Sequence, residues 1–230
     1  MSKTVPAIDF ASVLASTVHD MKNSLCMLIQ STELIQQESA QLSGDARDEL
    51  ARLNYEANRL NSNLLQLLSL YRLERNQLPV QIDQHYLADI AEELVLKNQF
   101  YTEQRQLQLQ TELADNLHWF FDYDLVMNLL NDAVANALRY CNRRILLSIS
   151  QQQQLLVLEV HDDGGGFPQF MLNSDAIDMN TPDLANNHTG LGIFFAKLIA
   201  RAHNNKGVRG TVELRNGGRY GGGVFRLTLP

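Results

Sequence analysis

The chain has little cysteine: Cys26 and Cys141 are the two in 230 residues. They lie far apart and lack the close spacing of a metal site, which predicts reduced thiols and excludes a disulfide framework. Prolines number five, low-complexity runs are few, and the apolar fraction of 45% is ordinary for a soluble protein. No run of about eighteen apolar residues exists, so no membrane-spanning segment is expected. Ser2, Lys3 and Thr4 are not followed by an apolar signal region, which predicts a cytoplasmic protein. Basic residues are outnumbered, 19 to 26, for a formal charge of −7. That balance argues against a nucleic-acid partner. The length suffices for one large domain or two small ones.

Two periods divide the chain. Leu14, Val18, Met21, Leu25, Leu28, Thr32 and Ile35 recur at alternating spacings of four and three, as do Leu50, Leu53, Ala57, Leu60, Leu64, Leu67 and Tyr71. Such seven-residue repeats form the seam of helical coils and bundles. Ser43, Gly44 and Asp45 supply the turn between two helices, with Asp45 as the cap. A two-helix hairpin leaves its apolar stripe half covered, so two copies are expected to pair into a dimeric four-helix bundle.

Beyond Leu78 and Pro79 the period changes. Strands are expected over Leu107 to Leu113, Arg144 to Ser150, Leu155 to Val160, Thr211 to Arg215 and Gly223 to Leu229, with the last two joined by a Gly-rich turn. Helices are expected over Ala88 to Gln104 and Asp124 to Tyr140. This mixture predicts an α+β fold whose second part is a sandwich of helices on one face of a mixed sheet. The reading assigns residues 1–77 to the hairpin and 78–230 to the sandwich, with Arg75 to Pro79 as a hinge.

Four polar patterns fall in order along the second part. The helix from Asp124 carries Asp132, Asn136 and Tyr140 one turn apart on one face, with Arg139 beside them. A carboxamide oxygen there suits Mg²⁺, a cation that prefers oxygen donors and brings phosphate oxygens with it. Asp162, Asp163, Gly164, Gly165 and Gly166 follow a strand directly. Glycines allow close backbone approach to a ligand, and a carboxylate accepts a hydrogen bond from an amino group such as that of adenine. Thr189, Gly190, Leu191 and Gly192 open an apolar helix whose N-terminal N–H groups suit phosphate. Finally Gly221, Gly222 and Gly223 precede a closing strand.

In this order and spacing, the strings resemble the ATP-binding domain shared by histidine kinases and the GyrB, Hsp90 and MutL ATPases (the GHKL group). The resemblance covers roughly residues 79 to 230. It implies that Asn136 holds Mg²⁺, that Asp162 reads adenine, and that Gly164, Gly166, Gly190 and Gly192 frame a lid over the phosphates of ATP. Two positions depart from the pattern. Asp132 stands where the family often has Asn, adding negative charge near the phosphates. The lid from Phe167 to Thr189 contains no Lys or Arg, which leaves phosphate neutralisation to Mg²⁺, Arg139, His188 and Lys197.

The hairpin decides among the members of that group. His19, Asp20 and Asn23 on its first helix resemble the His-acidic-x-x-Asn phosphoacceptor motif of two-component sensor histidine kinases. His19 falls beside the seam position Val18 and is expected on the solvent side. A neutral imidazole is a nucleophile once an acceptor holds the proton on its other nitrogen, and the resemblance gives that role to Asp20. Asn23 lies one turn from His19; in related kinases an Asn or Thr here orients water for dephosphorylating the response regulator. The implied activity is ATP-dependent autophosphorylation of His19, followed by transfer to an aspartate in the receiver domain of a response regulator. The alternative is a histidine phosphotransferase relay with a vestigial ATP domain. A regulator-directed phosphatase and an anti-sigma-type serine kinase are the further rivals. Residues 1–10 hold no sensor module, so the signal comes from a separate sensor protein or the chain is part of a longer one. His85, His118, His161, His188 and His203 are read as structural or lid residues.

Overall fold

A computed structural model describes residues 10–37, 43–74, 80–172 and 191–230. The chain divides into two compact units, Met1–Leu78 and Pro79–Pro230.

The first unit contains α1 (Phe10–Gln37) and α2 (Gly44–Glu74), which pack against each other. Val18 and Thr32 of α1 and Leu50, Ala51 and Ala57 of α2 are buried. Within the contact, Thr32 Oγ1 accepts a hydrogen bond from Asn54 Nδ2 at 3.0 Å. Ser43, not Asp45, caps α2. Its hydroxyl accepts from the Ala46 N–H at 3.4 Å, its carbonyl accepts from Arg47, and Asp45 lies inside the first turn. A hydroxyl just before the first helical residue reaches the N–H groups the helix leaves unpaired. Asp45 still acts favourably there through its charge near the positive helix end. The seam residues Leu14, Leu67 and Tyr71 have side chains outside the described residues.

The second unit is α+β. Its five-stranded sheet runs β2 (Gln108–Leu113), β4 (Arg144–Gln152), β5 (Leu155–Asp162), β9 (Gly223–Leu229) and β8 (Thr211–Asn216) in spatial order. β2 and β4 are parallel and the other pairs antiparallel. Three helices, α3 (Leu87–Arg105), α4 (Tyr123–Tyr140) and α6 (Leu191–Ala202), bury one stripe each against the sheet. On α4 the stripe is Val126, Leu130, Val134 and Ala137, the spacing of one helical face. Ile145, Leu147 and Ile149 of β4 meet it, as do Leu156, Leu158 and Val160 of β5 and Phe225, Leu227 and Leu229 of β9. Alternate residues of each strand thus share one core, and burying each such side chain contributes about 1.5–3 kcal/mol. The strands and the two helices start and stop within two residues of their expected positions.

The smaller pieces are not expected from pattern. β1 (Asp83–Tyr86) pairs antiparallel with β3 (His118–Phe121), and β6 (Asn204–Asn205) pairs with β7 (Val208–Arg209). A four-residue helix, α5 (Gln169–Leu172), follows the Gly-rich loop.

A buried polar knot ties β3, α4 and α6 together. Asp122 caps α4 by accepting from Leu125 N–H at 3.0 Å and also accepts from Gln81 N–H at 2.8 Å. Its own N–H donates to His203 Nε2 at 3.1 Å, while His203 Nδ1 lies 2.8 Å from the Ile199 carbonyl. The imidazole is therefore neutral, with its proton on Nδ1. Burial pushes the His203 pKa below its ordinary 6.5, against the upward pull of the Ile199 carbonyl and Asp122. The unfolded chain then takes the proton first as pH falls. Stability from this contact is complete above about pH 6.5 and is lost as pH drops through the folded-state pKa. His203→Phe should shrink the stability difference between about pH 7.5 and about pH 5.5 in urea melts. It should also cost about 1–3 kcal/mol at the higher pH by orphaning the Asp122 N–H.

Candidate functional site

The site is built where β5 ends. The strand delivers two consecutive carboxylates, and its alternation sends them to different tasks. Asp162 is 8% exposed. Its Oδ1 accepts hydrogen bonds from Gly164 N–H at 2.7 Å and Gly223 N–H at 3.1 Å, and its carbonyl accepts from Gly222 N–H at 3.1 Å. Oδ2 accepts no hydrogen bond among the described residues. One oxygen is thus saturated by backbone donors while its twin keeps its capacity for a donor from outside. A buried carboxylate held this way is pre-oriented.

Asp163 turns the other way and fastens the turn between α4 and β4. It accepts from Asn142 N–H at 2.9 Å and Arg143 N–H at 2.9 Å, and its carbonyl accepts from the Asn142 carboxamide. Desolvation pushes its carboxyl pKa up, but these backbone donors together hold it below the ordinary 3.8. Cys141, beside it, is pushed up to about 11 by burial and by the charges of Asp163 and Asp162. It remains a thiol and offers no nucleophile.

The loop after Asp162 is shaped by what surrounds it. A Cβ on Gly164 would run into the Tyr140 carbonyl at the end of α4. Gly166 has φ +78°, and a Cβ there would meet the Asn216 carboxamide at 2.7 Å. Asn216 in turn accepts from Phe167 N–H at 2.7 Å and donates to the Phe167 carbonyl at 2.9 Å. The start of the Phe167 to Thr189 segment is therefore clamped to β8 by one side chain.

On α4, Asp132 is half-buried, while Asn136, Arg139 and Tyr140 are exposed. Helical geometry sets Asp132, Asn136 and Tyr140 along one face, and the Gly164 contact brings the Asp162 loop against the C-terminal end of that face. Arg139 lies with its guanidinium 5.3 Å from the centre of the Tyr140 ring. Gly192 is exposed in the first turn of α6, and the side chain of Leu191 lies outside the described residues, as do Thr189, Gly190 and His188 altogether. Lys197 is half-buried on α6. In the first unit, His19 lies on α1 between buried Val18 and exposed Asp20; Asn23 is exposed one turn on. The His19 side chain is outside the described residues.

Comparison with known proteins bears on this arrangement. Residues 121–230 match the family described as histidine kinase-, DNA gyrase B- and HSP90-like ATPase. The matched residues all lie in the second unit. Over 225 residues it is 28% identical to the sensor protein kinase PilS of Pseudomonas aeruginosa, covering 94% of this chain and 39% of that protein. It is 22% identical to the sensor protein SrrB of Staphylococcus aureus over 224 residues, covering 94% and 37%. The chain thus spans about two fifths of the length of these relatives. Among solved structures, the histidine kinase AdeS of Acinetobacter baumannii is similar with a TM-score of 0.58 at 17% identity, covering 92% of this chain and 96% of that one. Full-length ShkA in complex with AMPPNP gives 0.61 at 16% identity, covering 95% and 45%. The two-component sensor histidine kinase resemblance read from the motifs therefore holds.

Sequence reasoning gave Asp163 no role of its own and missed Asn216 and the contribution of Gly222 and Gly223 to holding Asp162. The Asp-Asp pair itself was the available signal, since adjacent strand residues face opposite ways. Nothing local marks Asn216, because its partner lies 49 positions away.

Proposed function

We propose that the chain is an ATP-dependent protein histidine kinase that phosphorylates its own His19 and passes the phosphoryl group to an aspartate of a response regulator. The observation that carries this reading is the Asp162 carboxylate, buried at the end of β5 with Oδ1 held by Gly164 and Gly223 and Oδ2 uncommitted. Such an oxygen suits the 6-amino group of adenine. The AMPPNP complex of the similar ShkA chain supports an adenine nucleotide as the ligand class. An intact carboxylate cradle favours this reading over a relay with a vestigial ATP domain.

In this reading residues 1–77 are the dimerisation and phosphotransfer part and 78–230 the catalytic part. Asn136, with Asp132 one turn before it, offers the oxygen donors that Mg²⁺ takes alongside phosphate oxygens. Among the described residues no three His, Cys, Asp or Glu side chains converge on a metal site. The ion supplies charge neutralisation at the phosphates. Arg139 is the cation of α4 available to assist, and Gly164, Gly166, Thr189, Gly190, Leu191 and Gly192 frame the phosphate side.

Transfer joins the γ-phosphorus to one ring nitrogen of neutral His19 while the bond to the β–γ bridging oxygen breaks. ADP departs with that electron pair. Asp20 holds the proton on the other ring nitrogen, so the imidazole lone pair faces the phosphorus. In the second half-reaction the same P–N bond breaks as a regulator carboxylate oxygen bonds phosphorus. Asn23 is assigned to orienting water for hydrolysis of the regulator's acyl phosphate. A cytoplasmic location is proposed from ATP as the substrate; no described helix is long and apolar enough to cross a membrane. A separate sensor protein is the proposed source of the signal.

Titrating the full chain with ATP, with and without Mg²⁺, tests the reading against the relay. Saturable, Mg²⁺-strengthened binding is expected; a chain that binds no nucleotide is not a kinase.

Homodimerisation is proposed from the heptad stripe. Val18, Leu25 and Thr32 on α1 and Leu50, Ala57 and Leu64 on α2 are buried or half-buried within one chain, whereas Met21, Leu28, Ile35, Leu53 and Leu60 are exposed. Each set repeats every seven residues, so half of the seam is left for a second copy. Leu28→Glu with Leu60→Glu should convert a dimer to a monomer in light scattering.

A further inference from the structure

The far face of the sheet, opposite the helices, carries a row of paired residues: Gln110 on β2, Leu146 on β4, His161 on β5, Val224 on β9 and Arg215 on β8. Among the described residues no helix covers this face, yet Leu146, His161 and Val224 are 4%, 6% and 0% exposed. The cover is the Gly-rich connection between β8 and β9, residues 217–222. A Cβ on Gly218 would meet His161 Nδ1 at 2.8 Å, so the loop lies directly on the imidazole. Farther along, the loop crosses to the opposite edge of the sheet. The Tyr220 hydroxyl lies 3.0 Å from the Gln110 Oε1 and donates to it. Arg219 pairs with Glu112, and Arg144 stacks its guanidinium 4.6 Å from the centre of the Tyr220 ring. The connection is a strap across the sheet.

The strap ends at the site. Its last residue, Gly222, donates its N–H to the Asp162 carbonyl, and Gly223 follows with the N–H that fixes Asp162 Oδ1. Arg144, which grips the Tyr220 ring, also stands 3.8 Å from Asp163. Anchors on the back of the sheet thus hold the chain that supplies one of the two donors to the carboxylate.

We propose that Tyr220, with Arg219 in support, is a positioning residue for nucleotide recognition: pinning the strap across β2 keeps the Gly222 and Gly223 N–H groups on Asp162 and so aims Oδ2 at the adenine amino group. This rests on the adenine reading of Asp162. Tyr220 is half-buried, whereas Arg219 and Glu112 are 57% and 55% exposed. An exposed ion pair contributes little, so the hydroxyl and ring of Tyr220 carry the larger effect.

The test compares ADP with IDP, which lacks the 6-amino group, by calorimetric titration of the full chain and its Tyr220→Ala and Tyr220→Phe variants. The wild-type chain should prefer ADP by about tenfold or more, the scale of one hydrogen bond to a charged acceptor. Tyr220→Ala should lose most of that preference, with ADP affinity falling about five- to tenfold and IDP affinity nearly unchanged. Tyr220→Phe, which keeps the ring under Arg144, should retain an intermediate preference. A wild-type preference that survives intact in both variants overturns the strap's role and leaves the adenine reading standing. Equal loss of ADP and IDP also overturns it, since that is what general destabilisation of the domain produces. A wild-type chain that binds both nucleotides equally overturns the adenine reading itself, and the inference with it. If Tyr220→Ala does not fold, the Tyr220→Phe comparison decides by the same criteria.

Discussion

Asp162→Asn should weaken ATP and ADP binding about 10- to 100-fold while leaving the fold intact. The carboxamide matches the carboxylate in shape, so the packing of β5 against α4 is kept. What changes is the acceptor. In the native chain Oδ1 is occupied by two backbone N–H groups, and Oδ2 is the charged oxygen proposed to face the ligand. In the variant, the carboxamide oxygen stays with the backbone donors, because turning the NH₂ toward two N–H groups would leave all of them unpaired. The amide NH₂ then faces the adenine 6-amino group, donor against donor. Losing a hydrogen bond to a charged acceptor costs about 1.5–3 kcal/mol, and the donor clash adds to it. Calorimetry gives the affinity and a thermal melt the folding control. Unchanged affinity would remove Asp162 from the site.

The second large effect is at His19. His19→Gln should abolish autophosphorylation, since the carboxamide has no ring nitrogen to attack phosphorus, yet nucleotide affinity should stay within about twofold of native. The two variants therefore separate the two halves of the account. Asp162→Asn weakens binding and with it transfer, whereas His19→Gln removes transfer alone. A His19→Gln protein that loses ATP affinity would mean that the first unit contributes to nucleotide binding directly.

How much of this was legible in the sequence varies with the range of the interactions. α4 was legible because Val126, Leu130, Val134 and Ala137 repeat at the helical period and bury one face. β4, β5 and β9 were legible because their apolar residues are β-branched, leucine or phenylalanine, in short runs bounded by Gly or polar turns. β1 was not: Asp83, Gln84, His85 and Tyr86 have no apolar alternation, and the segment is a strand because β3 pairs with it. Asp162 could be singled out from its Gly-rich context, but its second donor, Gly223, lies 61 residues away. The burial of His161 and Leu146 on the open face of the sheet was equally hidden. It depends on a strap whose sequence reads as an ordinary Gly-rich turn and whose anchors are 107 and 110 positions distant on β2. Asp45 and Ser43 are both residue types that cap helices well; only the position of the first helical residue decides between them.

The proposed reaction moves the γ-phosphoryl group of ATP onto His19. Incubating the full chain with γ-labelled ATP and Mg²⁺, then measuring the stability of the protein-bound label, tests it most directly. A phosphoramidate bond on histidine is labile to acid and stable to base. Label with that signature is expected in the native chain and none in His19→Gln. Label that survives acid, or that persists undiminished in His19→Gln, would contradict it.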